Sequence, residues 1–168
     1  MLFRSGQYTH GAIWFALACL RAGEREDGYR ALTMINPVLH TKTTEGQERY
    51  KGEGFVMPAD VYRASGHEGE AGWTWYTGAA GWYWRCVVEA LLGLKINRGK
   101  LTIEERLPED IAQAEVCYRY KDTIYEVIIE RGGDTLFHNG QAVLNNVFTL
   151  VDDRQPHRIH LRKSEDAI

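Results

Sequence analysis

The most constraining feature of this sequence is a change of hydrophobic period near residue 93. Before it, apolar residues such as Ile13 and Leu20 recur at helical spacing. After it, short runs alternate apolar and polar residues with period two, which is typical of half-buried strands. Helices followed by strands favour an α+β fold. We therefore predict a helical segment over residues 1–94 and an antiparallel β-domain over residues 95–168.

Turn and breaker residues divide the helical segment. A buried helix is predicted from Tyr8 to Ala22, where Gly23 can end it. A second helix is expected to stop at Pro37, and the polar stretch "HTKTTEGQERYKGEG" has the composition of a loop. A short third helix is predicted in "VMPADVYRA".

Three further signals concern the end of the helical segment and the β-domain. A helix is predicted over 78–92, with Gly93 as its C-terminal cap. Asn139-Gly140 lies between two apolar runs and predicts a tight hairpin. His157 and His160 are three positions apart on a predicted strand, hence on opposite faces, and we interpret them as surface residues and not as a metal pair.

Composition excludes several classes of protein. The formal net charge of -3 lacks the basic excess typical of nucleic-acid binding. The 3 cysteines are widely spaced in apolar or aromatic runs, which favours buried thiols over disulfides or a metal site. The longest apolar stretch is much shorter than a membrane span, and the first residues lack the pattern of a signal peptide. We expect a cytoplasmic protein that makes no membrane contact itself and binds no nucleic acid and no metal.

One segment combines glycine and tryptophan to an unusual degree, "HEGEAGWTWYTGAAGWYWRC" at 67–86. If a helix begins near Thr77 or Gly78, the Thr77 hydroxyl can cap it, and the first backbone N–H groups can bind an anion. Trp73 and Trp75 offer flat faces for stacking on a sugar ring. The alternative is that the small residues permit close helix packing and the tryptophans fill a core.

Isolated polar side chains give weaker signals. His10 lies at the start of the first helix and could donate a hydrogen bond to an oxyanion, although a structural role is the alternative. His67 and Glu68 could act as a ligand or acid/base pair, but neighbours on a glycine-rich loop need not converge. The sequence contains no P-loop, dinucleotide fingerprint or serine-hydrolase elbow.

Five blocks together carry a family resemblance. They are "YTHGAIWFALA", "MINPVLHT", "ERYKGEGFVMPADVY", "HEGEAGWTWYTGAAGWYWR" and "EALLGLKINRGKLTIEERLPED". In this order they resemble the C-terminal part of glycoside hydrolase family 94, which contains cellobiose and chitobiose phosphorylases and the C-terminal region of cyclic β-1,2-glucan synthases. The synthase branch is the most similar. Residues 111–168 match the family's C-terminal domain more weakly.

The resemblance implies a fold and a reaction. The fold would be the last helices of an (α/α)6 toroid followed by a small antiparallel β-sandwich-like domain. In the family, inorganic phosphate is the co-substrate and attacks the anomeric carbon with inversion, while one carboxylic acid protonates the leaving oxygen. No other cofactor is implied. By resemblance, His10, Thr77 and Gly78 would bind phosphate. From their local chemistry, we expect Trp73, Trp75, His67 and Glu68 to border a β-glucan or glucooligosaccharide.

The family's general-acid aspartate lies upstream of the first matching block, so no catalytic residue is assigned here. We therefore expect a C-terminal fragment of a cyclic β-1,2-glucan synthase or glycoside phosphorylase, inactive alone, although a full-length synthase would be anchored in the inner membrane. The rest of the enzyme or a second copy would cover its apolar helices. The alternatives are a non-catalytic carbohydrate-binding or accessory module and a self-associating remnant.

Overall fold

The computed structural model describes residues 6–164 and confirms the α+β class. The chain divides into two compact units, one up to Cys86 and the other from Val87 onward. The predicted boundary between residues 94 and 95 stays a prediction, and the outer ends of both predicted domains, 1–5 and 165–168, lie outside the described residues. Across 6–164, no helix is both long enough and apolar enough to cross a membrane.

The helical unit contains five helices and a two-stranded ribbon within its described residues. In chain order these are β1 (Gly6–Tyr8), α1 (Thr9–Ala22), α2 (Arg25–Met34), α3 (Pro37–His40), α4 (Thr44–Tyr50), β2 (Asp60–Tyr62) and α5 (Thr77–Arg85). The predicted end of the first helix is confirmed, because Gly23 has φ 92° and its N–H donates to the Leu20 carbonyl at 3.2 Å. Glycine adopts this left-handed conformation without a steric cost.

Three local predictions for the helical unit are wrong. The predicted polar loop contains α4, which starts where the Thr43 side chain accepts the Gly46 N–H at 3.1 Å. The predicted third helix is strand β2, which pairs antiparallel with β1. Pro37 is the first residue of α3 and not the stop of α2, because the Asn36 side chain caps it by accepting the Val38 N–H at 2.9 Å.

Helix α1 is buried on one face only, so the prediction of a mostly buried helix is wrong. Ile13, Ala16 and Leu20 are fully buried. Trp14 and Phe15 are 52% and 60% exposed on the other side. The helical unit therefore leaves large aromatic rings without cover among the described residues.

The helix predicted over 78–92 is present but changes its winding. A π-helical stretch, Cys86–Leu91, follows directly on α5. Gly93 then has φ 69°, and a Cβ atom there would lie 1.9 Å from the Glu104 carbonyl oxygen. Only glycine fits this turn, which confirms Gly93 as the end of the helix.

The sheet unit contains eight strands and a short 3₁₀ segment, Leu144–Asn146, within its described residues. The strands are β3 (Leu94–Asn97), β4 (Lys100–Ile103), β5 (Gln113–Tyr120), β6 (Thr123–Glu130), β7 (Thr135–His138), β8 (Gln141–Ala142), β9 (Phe148–Thr149) and β10 (His157–Arg162). One sheet has the order β5-β6-β10-β7-β8 and the other β3-β4-β9. Because β10 pairs with β6 in parallel, the prediction of a wholly antiparallel domain is wrong at this pairing.

A single apolar cluster lies at the centre of the sheet unit. Leu101, Ile129 and Ile159 are fully buried in it. The Asn139-Gly140 hairpin is confirmed, since it joins β7 to β8 with φ values of 48° and 85°. Positive φ at both turn residues matches the strand twist.

His157 is buried, which corrects its interpretation as a surface residue. It lies on the same face of β10 as Ile159, with 7% of its surface exposed. Its Nδ1 is 2.8 Å from His138 Nε2, and its Nε2 is 3.0 Å from an Asp153 carboxylate oxygen. The ring stacks on Tyr125 at 4.7 Å between centroids. The buried imidazole is therefore satisfied on both nitrogens.

Candidate phosphate and carbohydrate site

Helix α5 begins inside the glycine- and tryptophan-rich segment. Its first residue is Thr77, and the N-cap is Tyr76, which makes no side-chain capping hydrogen bond. The expectation that the Thr77 hydroxyl caps the helix is therefore wrong, because Thr77 is one position too late to do so. The Ala80 N–H donates to the Tyr76 carbonyl at 3.2 Å and is not available to a ligand.

One N–H group of the first turn of α5 remains available to a ligand. The amides of Gly78 and Ala79 donate to no acceptor in residues 6–164, but Ala79 is fully buried. First-turn N–H groups have no partner within their own helix and carry its positive dipole end. Gly78 is exposed. This turn can therefore present the Gly78 N–H to an anion.

His10 lies against this turn. A Cβ atom on Gly78 would be 3.0 Å from Cε1 and 3.9 Å from Nε2 of the His10 ring, so the absence of a side chain at Gly78 permits the approach. Nδ1 of His10 is buried and has no hydrogen-bond partner in residues 6–164. The structure thus brings His10, Thr77 and Gly78 together from two distant parts of the sequence.

Aromatic rings surround His10 on several sides. Its ring centroid lies 5.8 Å from Tyr8, 5.4 Å from Trp14 and 5.7 Å from Tyr76. The hydroxyls of Tyr8 and Tyr76 are 3.1 Å apart, and this hydrogen bond is the main reason that the pKa of Tyr8 lies above its ordinary value. These contacts fix the plane of the imidazole. Sequence reasoning missed them, although Trp14 is four positions from His10, a spacing that places side chains near one another on a helix.

Trp75 has a strained backbone beside the helix start. Its φ of 61° is rare for a bulky residue. Its indole N–H donates to a Glu53 carboxylate oxygen at 3.1 Å, and its ring meets Phe55 edge-on at 6.1 Å between centroids. Glu53's own backbone N–H, and next the Trp75 and Thr74 side chains, hold the pKa of Glu53 below its ordinary value. A charged carboxylate therefore orients an indole that is 62% exposed.

A cleft of about 440 Å³ adjoins these residues. Trp75, Tyr76, Thr77 and Phe55 contribute to its wall, together with residues of the α3 start. The volume is within the range of small-molecule sites. Sequence reasoning assigned no role to Glu53 or Phe55. The only local feature of the sequence that could have indicated a role is an aromatic residue, Phe55, next to the glycines and the glutamate of "GEG".

The other predicted sugar contacts lie outside this cleft. Trp73 is 78% exposed and is not part of the cleft wall. His67 lies 2.9 Å from a Glu70 oxygen, and Lys51 pairs with the same carboxylate, so His67 is not paired with Glu68. The Glu68 carboxylate accepts the Gly66 N–H at 2.9 Å. The structure therefore separates Trp73, His67 and Glu68 from the group around His10.

Comparison with known proteins identifies the class of this chain. Residues 3–93 match the family model described as the glycosyl hydrolase 94 superfamily, catalytic domain. The matched range contains the described residues of the helical unit. The chain belongs to the glycosyl hydrolase 94 superfamily, which confirms the resemblance seen in the sequence.

Individual relatives agree with this assignment. The chain is 37% identical over 126 residues to the cyclic beta-(1,2)-glucan synthase NdvB of Rhizobium meliloti, covering 75% of this chain and 4% of the relative. It is 26% identical over 144 residues to a cellobionic acid phosphorylase of Neurospora crassa, covering 82% and 18%. It is 24% identical over 162 residues to a solabiose phosphorylase of Paenibacillus borealis, covering 92% and 21%. The chain therefore spans a small fraction of the length of each of these proteins.

Proposed function

We propose that this chain forms the terminal part of the catalytic domain of a glycoside phosphorylase or cyclic β-1,2-glucan synthase. Family membership and the names of the relatives support this function. In this proposal the helices of residues 1–94 end an (α/α)6 toroid, and residues 95–168 form a β-sandwich-like domain. The exposed rings of Trp14 and Phe15 are covered by the rest of the enzyme or by a second copy.

His10, Thr77 and Gly78 bind inorganic phosphate in this proposal. The observation that carries it is the position of the His10 ring, 3.0 Å from where a Gly78 side chain would begin, beside the available Gly78 amide of α5. An imidazole N–H and the Gly78 backbone N–H suit the oxygens of a phosphate. Phosphate acts as co-substrate, attacks the anomeric carbon of a β-glucoside and inverts it, and no further cofactor takes part.

The general acid comes from outside this chain. An acid that protonates a leaving oxygen near neutral pH needs a raised pKa. Within residues 6–164, every carboxyl group with a resolved shift has a pKa below its ordinary value, and these groups are Glu53, Glu70, Glu104, Asp134 and Asp153. Such groups remain charged and are poor proton donors.

Trp75 borders the glucan in this proposal. Its exposed indole and the adjoining Phe55 form an aromatic wall of the cleft next to Thr77. Trp73, His67 and Glu68 form outer contacts with a longer oligosaccharide. The 61% exposure of the His67 side chain leaves it accessible for such a contact.

Paired glycine substitutions test the phosphate site. Gly78→Ala places a methyl group against His10, whereas Gly81→Ala places one in open space on the same helix, so both variants gain the same helix propensity. We expect Gly78→Ala and His10→Ala to weaken inorganic phosphate binding about tenfold, as loss of a charged hydrogen bond does. Gly81→Ala should bind like the parent chain. Phosphorus-31 line broadening measures the affinities. Equal affinity of the parent chain and the three variants would refute the proposed phosphate site.

An activity measurement tests the proposal that this chain lacks a general acid. Glucose 1-phosphate release from β-1,2-glucooligosaccharides should not exceed background with this chain alone. Robust turnover would show that a proton donor exists within it.

A second candidate function is a non-catalytic carbohydrate-binding module. The observation that favours it is the exposure of Trp73 and Trp75, at 78% and 62%. Titration of tryptophan emission with glucooligosaccharides distinguishes the two, because a binding module responds to sugar without phosphate and shows no effect of Gly78→Ala. Absence of any response at millimolar sugar rejects the module.

A further inference from the structure

We propose a second ligand site in the sheet unit, a cleft that binds a small organic oxyanion, meaning a sugar-sized molecule with a phosphate or carboxylate group. The cleft has a volume of about 450 Å³ and lies on the face of the five-stranded sheet opposite the apolar cluster. Its wall consists of Phe137, Asn139, Gly140, Arg158, His160 and Arg162. The proposal does not depend on the function proposed for the helical unit.

The period of β10 places its basic side chains on one face. His157, Ile159 and Leu161 are buried, so the residues between them and after them, Arg158, His160 and Arg162, project from the other face. Guanidinium groups match the oxygens of phosphate and carboxylate in pairs. No carboxylate residue belongs to the wall of the cleft.

The charge of Arg158 is available to a ligand. Its guanidinium makes no ion pair with a carboxylate in residues 6–164, although Glu126 is its neighbour in the parallel pairing of β10 with β6. The Glu130 carboxylate lies 2.7 Å from His160 Nε2 and approaches from the β6 side. Both carboxylates therefore belong to β6, whereas Phe137, Asn139 and Gly140 bound the cleft on the β7 side.

The floor and one end of the cleft are firmly built. Phe137 is 6% exposed, and the Arg162 guanidinium lies over its ring at 4.3 Å, a cation–π contact that turns Arg162 towards the middle of the cleft. At the other end, the Asn139 side chain accepts the Arg158 N–H at 2.9 Å and the Asn139 N–H donates to the Arg158 carbonyl at 2.9 Å. The hairpin turn is thereby pinned beside Arg158.

The size of the cleft favours a sugar-sized organic anion over a small inorganic anion. Positions 158 and 162 are about 13 Å apart along a strand. A ligand that lies along the cleft from one of these positions to the other is longer than inorganic phosphate. A cleft of this volume and with an apolar floor accommodates the carbon skeleton of a monosaccharide.

Calorimetric titration of the full chain with glucose 1-phosphate, glucuronate, glucose and inorganic phosphate tests the site. We expect saturable binding of glucose 1-phosphate or glucuronate, no binding of glucose, and weaker binding of inorganic phosphate. The two sugar anions distinguish a phosphate from a carboxylate ligand. Glucose binding as tightly as the anions, inorganic phosphate binding to the His10→Ala chain as tightly as glucose 1-phosphate, or no anion binding at all would each overturn the proposal.

Matched variants locate the binding. Arg158→Gln should weaken it about tenfold. Arg154→Gln changes the net charge equally but removes an exposed arginine paired with Asp122 at 3.1 Å, and it should bind like the parent. His10→Ala should retain the sugar-anion binding that Arg158→Gln weakens, which separates this site from the one at α5. Unchanged affinity in Arg158→Gln, or loss of binding in His10→Ala, would refute the assignment.

Discussion

The helical unit and the sheet unit cover their apolar residues to different degrees. In the sheet unit, Leu101, Ile129 and Ile159 are fully enclosed in one cluster. In the helical unit, Trp14 and Trp84 leave 52% and 62% of their surfaces exposed. All 5 tryptophans precede the division at Cys86. The sheet unit thus has a core of its own, whereas the helical unit presents rings that suit another surface.

The largest expected effect tests the closed core. Ile129→Ala removes a fully buried side chain of β6 and should lower the free energy of unfolding by about 2–5 kcal/mol. Ile124→Ala, in the same strand with the side chain 51% exposed, should cost much less. Urea unfolding followed by far-UV circular dichroism measures both. Equal losses in the two variants would contradict a closed core.

An intermediate effect concerns pH and the hydrogen-bonded pair of half-buried His138 and buried His157. Burial, and next the charge of His157, hold the pKa of His138 below its ordinary value of 6.5. The unfolded chain then binds more protons than the folded one, so this stability is complete above about pH 6.5 and is lost as pH falls below it. Carboxylates with lowered pKa values contribute their own loss at more acidic pH.

The pH effect is isolated by substitution. The urea midpoint of the parent chain should decrease between pH 7.5 and pH 5.5, and His138→Gln should decrease less. His67→Gln, which removes an exposed histidine of the helical unit, should behave as the parent does. An unaltered pH dependence in His138→Gln would show that the pair does not sense protons.

The smallest expected effect tests the open face of the helical unit. Trp84→Ser should change the free energy of unfolding by no more than about 0.5 kcal/mol, because most of its ring is already in solvent. Trp82→Ser should cost more, since that ring contacts Trp14 at 5.9 Å and lies under Arg85. Tryptophan emission reports unfolding of this unit. A large loss in Trp84→Ser would mean that the ring is covered in solution.

Local signals in the sequence predicted the features that depend on a few neighbouring residues. Gly23 ends α1, Gly93 ends the π-helical stretch, and Asn139-Gly140 forms the hairpin, because each needs a positive φ that few residues tolerate. The start of α4 was missed although Thr43 is a good N-cap residue, since a polar composition was interpreted as a loop.

Features that depend on long-range pairing could not be obtained from one sequence. The parallel pairing of β10 with β6 joins segments 32 residues apart, as Leu161 opposite Ile129 or His160 opposite Ile128. Nothing local to either strand specifies its partner. The burial of His157, in contrast, follows from the alternation with Ile159 and was available from the sequence.

The candidate site also contains residues that were predicted from the sequence and residues that only the structure shows. The resemblance named His10, Thr77 and Gly78, and the structure brings them together, but their role in binding stays a prediction. The aromatic wall of the cleft beside Thr77 could not be predicted, because Glu53 and Phe55 contact Trp75 only in the tertiary fold.

The left-handed backbone of Trp75 has a consequence for how this position can evolve. A non-glycine residue at φ 61° costs on the order of 1 kcal/mol or more, so mutation to glycine would remove a conformational penalty. In homologues that do not use the indole, we therefore expect glycine to replace tryptophan at this position. Homologues that keep tryptophan at this position, despite the conformational cost, are therefore under selection for the indole ring. The frequency of glycine at this position among homologues measures how strong that selection is.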